Sequence, residues 1–115
     1  MVATDSKQGF VENRVDSRVQ HNLSFLFTRF GNRQKYSGTV VNLSMGGMQF
    51  TTEIELQEEE DLVIALRLDG KQITISGDIV NVREDISSGF FEIHFRFSSF
   101  SDKSVFSKFL AELQL

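Results

Sequence analysis

Apolar residues alternating with a period of two, in separate blocks broken by turn chemistry, narrow most what this chain can fold into. From Val19 to Phe30, apolar Val19, Leu23, Phe25 and Phe27 alternate with Gln20, Asn22, Ser24 and Thr28. That spacing turns one face to a core and the other to water, as in a half-buried strand. Gly31-Asn32 supplies a turn, and Gln34 to Leu43 is a second β-rich run. Met48 to Thr52 is a short third, and Leu62, Ile64, Leu66 and Leu68 alternate with Val63, Ala65 and Arg67 in a fourth. Asp69-Gly70 then predicts a tight hairpin, because both central positions of that turn need φ > 0. A fifth strand runs from Gln72 to Arg83. Its apolar phase changes after Ile79, and Gly77 just before predicts a bulge or bend. In a sixth, Phe90 to Phe97, the residues Phe91, Ile93, Phe95 and Phe97 share one face, opposite Glu92, His94 and Arg96.

The chain ends differently. Phe106, Phe109, Leu110 and Leu113 follow the i, i+3, i+4, i+7 spacing of an amphipathic helix, predicted over residues 102–114. Ser101 suits the N-cap, Asp102 the positive helix start, and Phe100 with Val105 a hydrophobic staple. Six strands with tight turns and one helix predict a mainly β fold, a six-stranded antiparallel barrel whose helix covers an opening or flank. There is no proline to guard strand edges, which favours closure. With 115 residues, 12 of them Phe, one domain with an aromatic core is expected. Residues 1–13 are polar and aperiodic and read as a flexible lead-in to a domain over 14–115.

Composition removes several functions. The chain has no Cys, so neither disulfides nor thiolate metal sites are available, and His21 and His94 alone make a poor zinc centre. No apolar run approaches the roughly 20 residues of a membrane span, and the N-terminus lacks a secretory pattern, so a cytoplasmic protein is expected. A net charge of −4 disfavours a nucleic-acid polymer as partner. The charge is uneven, however. Arg14, Arg18, Arg29, Arg33 and Lys35 stand against Asp16 alone, which suits a small anionic ligand. The acidic run of Glu53, Glu55, Glu58, Glu59, Glu60 and Asp61 reads as a solvated loop. No nucleophile elbow, phosphate-binding glycine loop or split carboxylate pair is present, so no catalytic residue is assigned.

Two short constellations remain. Arg14-Val15-Asp16-Ser17-Arg18 places two guanidinium groups where a loose segment meets a barrel. Such a pair can grip phosphate bidentately and reach the O6/N7 edge of guanine. Arg29 and Arg33 have the same spacing, so the setting distinguishes the first pair. Asn42-Leu43-Ser44-Met45-Gly46-Gly47 is a small polar corner between two strands. Asn42 and Ser44 can donate and accept hydrogen bonds, and Gly47 permits φ > 0 and close approach of a ligand.

Together these residues resemble the PilZ domain family, bacterial receptor modules for cyclic di-GMP. The family's Arg-xxx-Arg matches Arg14 to Arg18, and its (Asp/Asn)-x-Ser-xx-Gly matches Asn42 to Gly47, with Asn in the first position where Asp is commoner. The resemblance covers Arg14 to the C-terminus. It implies that Arg14 and Arg18 clasp the phosphates and a guanine. Asn42 would bond a guanine, Ser44 would bond phosphate or fix the corner, and Gly47 would let the ligand pass close. Asp16, Gly46 and Arg83 are further candidates. No cofactor or metal is implied; the ligand is cyclic di-GMP and the partner a protein effector. The alternative is a PilZ-like adaptor that works by protein contact without binding nucleotide.

Overall fold

Each apolar strand face needs cover, and a sheet curled onto itself supplies it. The computed structural model describes residues 16–113, with side chains from Leu23 onward. Its six strands form one closed antiparallel barrel in the order β1-β2-β3-β6-β5-β4. They are β1 (Asp16–Arg29), β2 (Tyr36–Ser44), β3 (Gly47–Thr52), β4 (Asp61–Leu68), β5 (Lys71–Asp85) and β6 (Phe90–Phe100), followed by helix α1 (Lys103–Leu113). The lead-in over 1–13 and Arg14 lie outside the described residues, as do the side chains of Asp16 and Arg18.

Several strand boundaries differ from expectation, and those of β1, β5 and β6 do so for physical reasons. β1 starts at Asp16 rather than Val19, because Asp16, Ser17 and Arg18 pair with Ser44, Leu43 and Asn42. Pairing then breaks and resumes at Leu23 opposite Val40, so several β1 residues face Val41 alone. His21 already interrupted the apolar alternation at that point. β5 and β6 run longer than expected because β5 absorbs its change of phase in two register shifts, at Ser76/Gly77 and Ile79/Asn81. Gly77 is required at the first, since a Cβ there would lie 2.0 Å from the Arg96 carbonyl oxygen. The Asp69-Gly70 hairpin is as predicted, with φ of 52° and 80°.

The helix start is also corrected. Asp102, not Ser101, is the N-cap: its carboxylate accepts from the Val105 amide at 3.1 Å and from the Ser104 hydroxyl at 2.8 Å. These bonds, the Ser104 hydroxyl first, hold the Asp102 carboxyl below its usual range. Ser101 instead prolongs the sheet, bonding Thr74 through both its amide and its hydroxyl at 2.8 and 2.9 Å. The helix is thus Lys103–Leu113, shorter than 102–114, and Phe100 meets Phe106, with ring centroids 5.1 Å apart.

The core is aromatic at its centre. Phe50 is fully buried, with the rings of Phe25, Phe27 and Phe95 at 5.0, 5.7 and 6.4 Å. The chain of rings continues from Phe95 through Phe97 to Phe106 on the helix. The acidic loop is solvated as expected except at Glu60, which forms an ion pair with Arg29 and accepts from the Gln57 amide. Truncating Phe50 to Ala should therefore cost about 3–5 kcal/mol, measured by urea unfolding. Glu58→Ala on the exposed loop should change stability by no more than about 0.5 kcal/mol.

Candidate functional site

Alternation along β2 and β3 decides which side chains face outward. Val40 and Leu43 turn into the core, as do Met48 and Phe50, leaving Asn42, Gln49 and Thr51 on the outer face. The register then lines up a polar row. Arg18 stands opposite Asn42, Asn42 opposite Gln49, Gln49 opposite His94, and His94 opposite Asn81. The Asn42 side-chain amide donates to the Gln49 side-chain oxygen at 3.1 Å. The two sequence constellations thus meet across one β ladder, although their nearest members, Arg18 and Asn42, are 24 residues apart in the chain.

The corner between β2 and β3 is closed from within. The Ser44 hydroxyl donates to the Gly47 carbonyl at 3.1 Å, and the Phe97 amide donates to the Gly46 carbonyl at 2.9 Å. The reason for glycine differs from expectation. Neither Gly46 nor Gly47 is among the positive-φ residues. At Gly47 the constraint is space: a Cβ would sit 2.3 Å from the Phe95 carbonyl oxygen and 3.4 Å from the Arg96 Cα. At Gly46 an added Cβ would meet nothing within 4 Å.

Beside Gly47 stands a cation. Arg96 is its register partner on β6 and forms a forked ion pair with Asp78 at 2.8 and 3.2 Å. These bonds raise the guanidinium above its already high ordinary value, and the Arg96–Asp78 ion pair stands beside the corner. Arg83, a sequence candidate, is not brought there. It pairs with Glu92 in the row Thr51–Glu92–Arg83, on the side of His94 away from Arg96. Sequence reasoning missed Gln49 and gave Arg96 no role. Outward phase was the signal for both, since each follows the alternation of its strand.

The row and the corner beside it offer the amides of Asn42 and Gln49, the imidazole of His94, the hydroxyl of Ser44 and the guanidinium of Arg96 on the outside of the barrel. Among the described residues no group of three His, Asp or Glu is placed to hold a metal ion, and no helix is long and apolar enough to cross a membrane. Groups of this kind can hold a polar, anionic ligand by hydrogen bonds and charge. The chain belongs to the PilZ domain family, whose model matches residues 12–112.

Several solved structures share the fold. MotI/DgrA, the Bacillus subtilis inhibitor of motility, superposes with a TM-score of 0.71 at 16% identity, over 90% of this chain and 51% of its own. The complex of K. pneumonia MrkH with c-di-GMP gives 0.70 at 18% identity, over 91% of this chain and 52% of its own. The PilZ domain of YcgR from Escherichia coli, solved with c-di-GMP, gives 0.66 at 18% identity, over 90% of this chain and 91% of that domain. This chain therefore spans about half the length of MotI and MrkH. No curated protein sequence matches it.

Gly47→Ala should force β3 away from β6, at a cost of about 1–3 kcal/mol or more. Gly46→Ala should stay within about 0.5 kcal/mol. Thermal or urea unfolding of the two variants checks the contrast.

Proposed function

We propose that this domain is a cytoplasmic, non-catalytic receptor for cyclic di-GMP that regulates a protein effector in motility, biofilm or exopolysaccharide control. The observation that carries the reading is the pairing of Arg18 with Asn42. It makes a residue of one family motif the direct register partner of a residue of the other. The ligand has two phosphates and two guanines. Arg forks match phosphate oxygens and the O6/N7 edge, and an amide matches the base edge.

In this reading Arg14 and Arg18 clasp phosphate and one guanine face or edge. Asn42 bonds a guanine, Ser44 supports the corner while its oxygen can still accept, and Gly47 keeps the chain low beneath the nucleotide. Asp16 and Gly46 border the same corner, beside the Arg96–Asp78 ion pair, and Arg83 is a further candidate in the row next to Gln49 and His94. That MrkH and YcgR were solved with c-di-GMP supports the choice of ligand. Binding would draw the segment bearing Arg14 onto the barrel and alter the surface offered to the effector, a population shift driven by differential affinity.

Isothermal titration tests this reading. Wild-type protein should bind cyclic di-GMP, and Arg18→Ala or Asn42→Ala should weaken binding by about tenfold to a hundredfold. Thermal unfolding should change little in either variant. Wild-type affinity in both variants would sink the assignment, and no binding by the wild type would leave the adaptor reading. Amide exchange over residues 10–20 should slow when ligand is added.

A further inference from the structure

The outer face of β2, β3 and β6 continues past the Asn42 row, away from the corner. The next outward partners are Thr39 and Thr51, with Glu92 beside Thr51 on β6. Beyond them the surface dips into an open cleft of about 480 Å³ whose lining includes Lys35, Tyr36, Thr39, Thr51, Glu53 and Phe90. Small-molecule sites fall at roughly 300–1,000 Å³, so the cleft is large enough for a ligand group.

Its lining suits a purine base. Phe90 is 37% exposed and offers an aromatic surface of the kind on which bases stack. Tyr36 forms a firm wall, because its ring packs on the buried Phe27 with centroids 5.6 Å apart. The Thr52 hydroxyl donates to the Ser37 carbonyl at 2.9 Å, which ties β3 to β2 beneath the cleft. Glu53 and Lys35 are exposed, and neither forms an ion pair with another described residue.

The charges distinguish among bases. An ionised carboxylate only accepts hydrogen bonds. The Watson–Crick edge of guanine offers it two N–H donors, on N1 and N2, whereas adenine presents a lone pair at N1. Lys35 can meet a phosphate or a base carbonyl. The chain from Gln49 to Glu53 rises about 13 Å if extended, so a ligand with two bases can be held at Asn42 and still reach the cleft.

We propose that this cleft receives a second purine of the ligand and that Glu53 selects guanine there. The proposal rests on the cyclic di-GMP reading above and adds to it a place for the other base. Phe90 stacks on that base, and the Thr39 and Thr51 hydroxyls line the path between the two ends.

The test uses the whole chain, with cyclic di-GMP and cyclic di-AMP as probes. Nuclear magnetic resonance should show the amides of Thr51, Glu53 and Phe90 moving on addition of cyclic di-GMP. Titration of Glu53→Gln should show affinity for cyclic di-GMP lowered about tenfold and a narrower preference over cyclic di-AMP. Phe90→Leu should weaken both dinucleotides. Glu53 is exposed, so its variant keeps the fold and its result stands alone. If the wild type binds cyclic di-GMP but the cleft amides stay still and Glu53→Gln binds normally, the cleft proposal is overturned and the Asn42 reading survives. If the wild type binds neither dinucleotide, both fall.

Discussion

The register of β1 is the constraint on which both the core and the candidate site depend. This strand closes the barrel, pairing with β2 along one edge and, from Leu26 to Arg29, with β4 along the other. Phe25 and Phe27 face inward from it and are almost wholly buried, each contributing about 1.5–3 kcal/mol by leaving water. A slip of one residue would turn both rings outward. Beyond the irregular stretch the register shifts, and Asp16–Arg18 pair anew with Ser44–Asn42, which sets Arg18 against Asn42. One strand thus supplies two ladders to β2, one that seats the core rings and one that sets the pairing at the candidate site.

The corner at Ser44 to Gly47 is rigid for related reasons. Gly47 lies so close to β6 that no side chain fits, and the Gly46 carbonyl is held by the Phe97 amide. Phe97 in turn packs edge-on against Phe106 of the helix, with centroids 5.5 Å apart. Asn42 and Ser44 therefore sit on a scaffold anchored to the far end of the chain. Such rigidity keeps polar groups in position before a ligand arrives and reduces the ordering cost of binding.

What was legible in the sequence was local. The Asp69-Gly70 turn, the phase change around Gly77 and the alternation of β6 each follow from neighbours in the chain, and each is found as expected. The Asn42 corner was visible only as a motif, because Asn, Ser and Gly are the ordinary residues of a turn between two strands. What was hidden depends on partners distant in sequence. Asp16 joins β1 only because Ser44 is there to pair with it, and Ser101 leaves the helix because Thr74 takes its hydrogen bonds. The reason for Gly47 lies in β6, and the partner that makes Gln49 part of the site is Asn42 across the ladder. Arg96 and Arg83 look alike in sequence, and only register tells which one stands at the corner.

The central claim is that the Asn42 row is where a guanine dinucleotide is read. Intermolecular nuclear Overhauser effects in a saturated mixture with cyclic di-GMP test it most directly. The account predicts cross-peaks from the guanine protons to the side-chain amide protons of Asn42, with neighbouring contacts at Gln49. Saturable binding with no contact to either side chain would contradict it, as would the absence of binding.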